Sequence, residues 1–256
     1  MRNLLCLGAV LLALAGCAAP QQPNADAETL ARVAYRQPGP ATLTLYTMIN
    51  NRTGRGGHAS LMINASERVI FDPAGSFYAS VVPERNDVLY GITPAVEQAY
   101  RGAHARSTFH VVVQRVEVTP EQAQKAYQLA VANGRVPGAY CAQATIGILQ
   151  QIPGFESLNR TFYPEKLSAQ FGQLPGVVTD RYYETDSADL QAGLAKGDAA
   201  VSTAGQHARP DKAAGAGRAL SGEVQQQQAQ PPGAQAPKHV PCQVADGKSR
   251  GSGSKM

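Results

Sequence analysis

The distribution of aromatic residues limits the chain to one globular domain. All 10 tyrosines and 6 phenylalanines lie at or before Tyr183, and the chain contains no tryptophan. Residues 184–256 therefore lack the large side chains that fill a hydrophobic core. They are instead rich in alanine, glycine and glutamine. We predict that residues 184–256 form a disordered low-complexity tail and that residues 41–183 form the single domain.

The charge of the chain argues against nucleic-acid binding. The formal net charge is +4 over 256 residues, and there is no run of lysine and arginine that could bind a phosphate backbone. No cluster of histidine, cysteine, aspartate and glutamate has the spacing of metal ligands. We predict that the protein binds no nucleic acid, no metal and no cofactor.

The N-terminus carries an export signal. Arg2 precedes an apolar run from Leu4 to Leu14, and the string LAGC then ends at Cys17. As a helix the apolar run would cover ~16 Å, about half of the hydrocarbon core of a bilayer, so it is too short to span a membrane.

The string from Leu14 to Cys17 resembles a bacterial lipobox. The resemblance implies cleavage before Cys17 and attachment of a diacylglyceryl group to its thiol, so that residues 1–16 are a lipoprotein signal peptide and residues 17–40 a lipidated tether. Ala18 follows the cysteine where an aspartate would favour retention at the inner membrane. The expected location is the outer membrane of a Gram-negative bacterium, facing the periplasm. An ordinary secretory signal with an incidental Cys17 is the alternative.

The hydrophobic pattern of residues 41–183 predicts an α+β domain. Asn64-Ala65-Ser66 separates two apolar segments, which we expect to pair as a hairpin. Thr119-Pro120 predicts the start of a helix, because threonine caps helices and proline is favoured at the first helical position. Strands are predicted at residues 43–49, 58–64, 68–72, 108–118 and 177–183, and helices at 94–103, 120–133, 164–171 and from 141 to before 153.

Cys141 begins a predicted helix that has one mostly apolar face. The residues at helical spacing after it, as far as Ile152, place the thiol on the inward side of the first turn. The positive end of a helix favours a thiolate and can hold a developing oxyanion. Three interpretations remain open: a catalytic nucleophile, a buried core cysteine, and a disulfide to Cys242 in an oxidising periplasm.

His58 is the best candidate for a general base that would activate Cys141. It begins a strand directly after the glycine-rich stretch Gly54 to Gly57, which would let another part of the chain approach closely. Asp72 ends the next strand, so hairpin pairing would bring its carboxylate to the imidazole as an orienting partner. The weaker candidates are His104 in an expected loop, His110 on a strand, and His207 and His239 in the tail.

The segments GHASLMI, VIFDPAG and AYCAQATIGIL resemble the circularly permuted branch of the NlpC/P60, papain-like cysteine hydrolase superfamily. In that branch the histidine precedes the cysteine in the chain, as His58 precedes Cys141 here. The resemblance covers about residues 41–183 and implies an antiparallel sheet packed on the cysteine helix. It also implies that Cys141 is the nucleophile, His58 the general base and Asp72 the third polar group.

The resemblance implies a cysteine-dependent hydrolase that forms an acyl-enzyme thioester. A periplasmic lipoprotein lies close to the peptide amides of peptidoglycan, which are the preferred substrate. It also lies close to the acyl groups of membrane lipids, the substrate of a lipid-directed acyltransferase or thioesterase. A non-catalytic envelope-binding lipoprotein of the same fold is the remaining alternative. The membrane, reached through the lipid anchor, is the one partner that the sequence implies.

Overall fold

The strands form one seven-stranded antiparallel sheet within residues 22–207, the part of the chain that this computed structural model describes. In chain order they are β1 (Thr42–Asn50), β2 (Gly56–Asn64), β3 (Arg68–Phe71), β4 (Glu84–Arg85), β5 (Val88–Leu89), β6 (Phe109–Glu117) and β7 (Val178–Tyr182). Their order across the sheet is β4-β5-β3-β2-β1-β6-β7.

Helices cover both faces of the sheet. Within the described residues they are α1 (Ala27–Val33), α2 (Pro94–His104), α3 (Pro120–Ala132), α4 (Cys141–Leu149), α5 (Pro164–Phe171) and α6 (Leu190–His207). α3, α4 and α5 pack on one face, whereas α2, against which α6 packs, covers the other. No helix in this part of the chain is long and apolar enough to cross a bilayer. The predicted α+β class is confirmed, and every segment predicted as a strand or helix is found as one.

The two-residue period of the strands divides the core into two layers. In β1, Leu43 and Leu45 point to the face covered by α3, α4 and α5, while Tyr46 and Met48 point to the face covered by α2. All four side chains are buried. The face on which a strand residue lies therefore decides which helix it meets.

The prediction of disorder from residue 184 onward is wrong for the segment that forms α6. This helix buries Leu194 and Val201 in the layer that α2 covers. A Cβ added at Gly197 would lie only 3.4 Å from Ala99 Cβ of α2. α6 has no aromatic side chain, but its small residues let α6 and α2 approach closely enough to bury the aliphatic side chains of Leu194 and Val201. Residues 208–256, the rest of the predicted tail, lie outside the described residues.

The predicted tether is in contact with the domain along its described part. The Ala25 N–H donates to the Glu84 carbonyl at 2.8 Å, beside the edge strand β4. Leu30 and Val33 of α1 are partly buried against the hydrophobic core. The predicted domain boundary at residue 41 is therefore too late in the chain, because α1 and the residues around it already pack on the sheet.

Candidate active site

The hairpin of β2 and β3 brings His58 and Asp72 into contact. The two strands pair in antiparallel register as far as Leu61 opposite Phe71, so the residue after Phe71 lies beside the first half of β2. His58 Nε2 is 2.7 Å from Asp72 Oδ1. The predicted juxtaposition of imidazole and carboxylate is confirmed.

A tyrosine from α2 holds the carboxylate of Asp72. The Tyr100 hydroxyl lies 2.6 Å from Asp72 Oδ1 and 2.8 Å from Ser60 Oγ, so it donates to the carboxylate and accepts from the serine. Burial raises the pKa of Asp72, but the charge and hydrogen bond of His58, helped by His104 and Tyr100, outweigh burial and bring the pKa below the usual 3.8. At neutral pH Asp72 is therefore an ionised anchor for the ring of His58.

Cys141 lies at a gap in the sheet beside β2. The pairing of β3 with β2 ends at Phe71, and in the part of the chain that the structure describes no other strand pairs with the first half of β2 on that side. There the N–H of Ala59 donates to the sulfur of Cys141, and the N–H of Ala142 in α4 donates to it as well. The sulfur thus has backbone N–H groups from both β2 and α4 as donors.

The sulfur of Cys141 also shares a hydrogen bond with His58. Because Asp72 contacts Nε2 of the ring, Nδ1 is the nitrogen left for the thiol. Cys141 is a free cysteine and is 6% exposed, and the side chain of His58 is 16% exposed. The structure therefore brings together all three residues predicted for the site, in the order thiol, imidazole, carboxylate.

Burial and ion pairing oppose each other at His58 and Cys141. Burial lowers the pKa of His58, but the charge and hydrogen bond of Asp72, with a further contribution from Cys141, raise it to about 10. Burial raises the pKa of the Cys141 thiol, but His58 and the N–H groups of Ala59 and Ala142 bring it below the usual 9.0. The arrangement favours an imidazolium beside a thiolate at neutral pH.

The N-terminus of α4 supplies hydrogen-bond donors beside the sulfur. Tyr140, at the N-cap, makes no side-chain capping bond, and the hydrogen bond of the first turn runs from the Ala144 N–H to the Tyr140 carbonyl. The N–H groups before Ala144 have no acceptor in the helix. They can hold the negative oxygen of an intermediate bound to the sulfur. Just upstream, Ala139 has φ +70°, a strained conformation of the kind that clusters at functional sites.

A second histidine, His104, stacks on His58. His104 ends α2 instead of lying in the predicted loop, and its ring is 6.0 Å from that of His58 at an interplanar angle of 16°. Its Nδ1 lies 2.8 Å from the Tyr100 carbonyl. Burial lowers the pKa of His104, Asp72 raises it and His58 lowers it again, so that it ends below the usual 6.5. At neutral pH His104 therefore covers the ring of His58 without adding a charge.

Asp87 ties the loop after Asp72 to the loop that precedes α4. Its Oδ2 accepts hydrogen bonds from the N–H groups of Ala74 at 3.0 Å and Val136 at 2.8 Å, and its carbonyl accepts from the Asp72 N–H at 2.8 Å. Asn86 and Asp87 have φ +51° and +61°, the left-handed pair that makes a two-residue hairpin turn between β4 and β5. One side chain therefore fixes the two loops that carry the site.

Replacing Asp87 with alanine should destabilise the domain and separate these two loops. Two backbone N–H groups lose their acceptor at about 1–3 kcal/mol each, so we expect the free energy of unfolding, measured by urea denaturation, to fall by about 2–6 kcal/mol. Asp87→Asn is the control, because it keeps an oxygen acceptor and tolerates the left-handed conformation. The free energy of unfolding of Asp87→Asn should fall by less than half as much as that of Asp87→Ala. An equal loss in both variants would show that the bonds to Ala74 and Val136 are not what Asp87 contributes.

The glycine-rich stretch before His58 receives the start of α5. A Cβ on Gly56 would lie 2.6 Å from Pro164 Cβ and 2.7 Å from the Glu165 nitrogen, and the Gly56 N–H donates to Glu165 Oε2 at 3.0 Å. The predicted close approach of another chain segment to this stretch is confirmed. It brings α5 and the loop before it next to the site.

The sequence candidates did not include Ser60, Asp87 and Tyr100, and His104 was ranked too low. Ser60 lies two residues after His58 and so shares its face of β2. Asn86-Asp87 is a turn dipeptide that could have predicted the hairpin. Tyr100 and His104 are four residues apart on one side of α2. No sequence pattern indicates that α2 packs behind His58.

The remaining predicted residues do not join the site. His110 Nδ1 lies 2.7 Å from Asn51 Oδ1, and its ring stacks on Tyr183. Between residues 22 and 207 no group of three His, Cys, Asp or Glu side chains could hold a metal ion. Three predictions fall outside the described residues: lipidation of Cys17, a disulfide partner at Cys242, and any role of His239.

Comparison with known proteins does not assign the chain to a family. No protein-family model, no curated protein and no solved structure matches it. The chemistry of the site is therefore the basis for inferring a function.

Proposed function

We propose that the protein is a cysteine-dependent hydrolase that cleaves peptide amides of peptidoglycan through an acyl-enzyme thioester. We also propose that it is a lipoprotein, anchored through Cys17 to the outer membrane on its periplasmic side. Its fold would be the permuted NlpC/P60, papain-like one, because a histidine strand, β2, precedes the cysteine helix, α4, and packs against it. The observation that carries the proposal is the hydrogen-bonded series of Cys141, His58 and Asp72.

In the first step the thiolate of Cys141 attacks the carbonyl carbon of the amide and forms a C–S bond. The carbonyl oxygen becomes negative, and the free N–H groups at the start of α4 hold it. The imidazolium of His58 gives its proton to the amide nitrogen, the C–N bond breaks and the amine leaves. Asp72 keeps the ring of His58 oriented throughout.

In the second step water releases the acyl group. His58, now neutral, takes a proton from a water molecule whose oxygen attacks the thioester carbon. The C–S bond breaks, the carboxylic acid leaves, and Cys141 and His58 return to thiolate and imidazolium. The high pKa of His58 favours this recovery, because it makes the imidazole a strong base.

The test is the pH dependence of Cys141 alkylation in residues 17–256 with Cys17→Ser and Cys242→Ser, so that Cys141 is the one thiol left. Because His58 holds the pKa of Cys141 below 9.0, the rate should reach its plateau below that pH. In the same chain with His58→Ala, the imidazole no longer offsets the effect of burial, which raises the pKa of the Cys141 thiol. The alkylation rate should therefore rise only at higher pH. The rate at neutral pH should fall by about tenfold or more.

His110→Ala is the matched control for this experiment, because His110 contacts Asn51 and Tyr183 and not the site. Its profile should coincide with that of the unsubstituted protein. A Cys141 thiol that is unreactive with and without His58, or equally reactive in both, would remove the hydrolase proposal and leave the non-catalytic binding lipoprotein in its place.

Lipid-directed acyl transfer is a second candidate function. It is favoured by two exposed aromatic side chains near the sulfur, Tyr140 immediately before Cys141 and Phe162 against Tyr140. The same nucleophile would then attack an ester carbonyl of a lipid and release an alcohol. The mass of the acyl group trapped on Cys141 separates the two functions, since a peptide and a fatty acyl chain give different adducts.

A further inference from the structure

Three exposed aromatic side chains form a surface beside Cys141, which we call the aromatic shelf. Tyr140, Phe162 and Tyr163 are 45%, 49% and 49% exposed. The rings of Tyr140 and Phe162 meet edge to face with their centroids 5.3 Å apart. Tyr140 directly precedes Cys141, and the loop of the other two leads into α5. Adjacent large apolar side chains that remain this exposed mark an interaction surface.

Cationic side chains flank the aromatic shelf. Lys166 Nζ lies 4.7 Å from the ring centroid of Tyr163, and Arg160 is exposed in the same loop. The side chain of Arg55 is 74% exposed and lies 3.9 Å from Glu165, the one acidic residue in this group. Aromatic rings surrounded by cations match the boundary between lipid headgroups and acyl chains, where amphipathic rings insert and anionic phosphates attract lysine and arginine.

The beginning of the described chain contacts the loop that leads to the aromatic shelf. The Gln22 carbonyl accepts a hydrogen bond from Arg135, and Arg135 belongs to the loop that ends at Tyr140. Cys17 is five residues before Gln22, a distance that an extended chain spans in about 17 Å. A lipid on Cys17 would therefore hold the loop from Arg135 to Tyr140 close to the bilayer.

We propose that the aromatic shelf docks on the surface of the bilayer to which Cys17 is anchored. The three rings enter the boundary of the acyl region, and Arg55, Arg160 and Lys166 face anionic headgroups. The inference rests on the lipidation of Cys17 that forms part of the proposed function, but it does not require catalysis. Docking of this kind places Cys141 beside the membrane surface.

The test measures vesicle binding by residues 17–256 with Cys17→Ser, which removes the lipid and leaves docking as the contact to be measured. Flotation with vesicles of phosphatidylethanolamine and phosphatidylglycerol should show binding that weakens when the anionic lipid is omitted. Phe162→Ser should weaken binding by roughly tenfold and Tyr163→Ser severalfold, while Phe162→Leu should keep most of it. Val178→Ser is the matched control, because Val178 is 71% exposed at the other end of the sheet from His58.

Absence of vesicle binding by the unsubstituted chain, or unchanged binding by Phe162→Ser, would overturn the proposal. If Phe162→Ser bound vesicles as the unsubstituted chain does but had a raised KM for a soluble peptide, the proposal would also be overturned. The aromatic shelf would then be a substrate-binding surface. Cys141→Ser separates this inference from the proposed function. That variant should bind vesicles in full, so failure of catalysis and failure of docking give different results.

Discussion

The protein with Cys141→Ser should fold as the unsubstituted chain does and lose amide hydrolysis by roughly 10⁴-fold or more. A serine hydroxyl fills almost the same space, but at neutral pH it is not ionised by a neighbouring imidazolium as a thiol is. The contact between His58 and Asp72 does not depend on the sulfur, so the site should otherwise stay in place. Hydrolysis of peptidoglycan stem peptides, followed by mass spectrometry, measures the loss, and urea unfolding measures the fold.

Thr145→Val is the matched control for Cys141→Ser. Thr145 lies one helical turn after Cys141 on the same buried side of α4, and its hydroxyl has no hydrogen-bond partner among residues 22–207. Exchange of that hydroxyl for a methyl group should preserve both stability and activity. Full hydrolysis by Cys141→Ser would eliminate the thioester mechanism, whatever the control does.

The variant Gly75→Ala should disable the site without touching any reacting group. The added Cβ would lie 1.9 Å from Asp72 Oδ2 and 2.2 Å from Asp72 Cγ, so the carboxylate must leave its place. Asp72 is buried and held by His58 and Tyr100, and the aspartate side chain is too short to move aside while keeping both bonds. We expect the free energy of unfolding to fall by about 1–3 kcal/mol and alkylation of Cys141 at neutral pH to slow by about tenfold or more.

Gly147→Ala is the control for Gly75→Ala. Gly147 lies in α4, and a Cβ added there meets no atom within 4 Å. Alanine favours a helix interior over glycine by about 0.5–1 kcal/mol, so this variant should be slightly more stable and equally reactive toward alkylation. If Gly75→Ala reacts as fast as Gly147→Ala, then the position of the Asp72 carboxylate does not control the thiol.

Elements with a local signal of their own were predictable from the sequence. Alternating residues predict β1, and helical spacing predicts α4. Thr119 caps α3 with both hydrogen bonds of a capping box. α6 gave no such signal, because it is stabilised by a few buried side chains such as Leu194 and by small residues that pack on α2. That stabilisation depends on the tertiary contact, and composition alone does not reveal it.

The same distinction applies within the site. Asp72 could be placed beside His58 because antiparallel register fixes which residues of a hairpin face each other. Tyr100 could not be placed beside Asp72 from the sequence. The two residues are 28 positions apart in the chain, and their contact depends on which face of the sheet α2 covers. The gap beside Ala59, where the sulfur sits, follows from the short length of β3, which the predicted strand 68–72 matches to one residue. That α4 fills this gap depends on tertiary packing, which the strand pattern does not reveal.

The carboxylate of Asp87 has a mechanical consequence for the site. Two loops that share one acceptor shift as a unit under thermal motion, so a displacement of Val136 carries Ala74, and with it Asp72, in the same direction. Asp87 therefore limits how far the Asp72 carboxylate and the loop that leads to Cys141 can move apart.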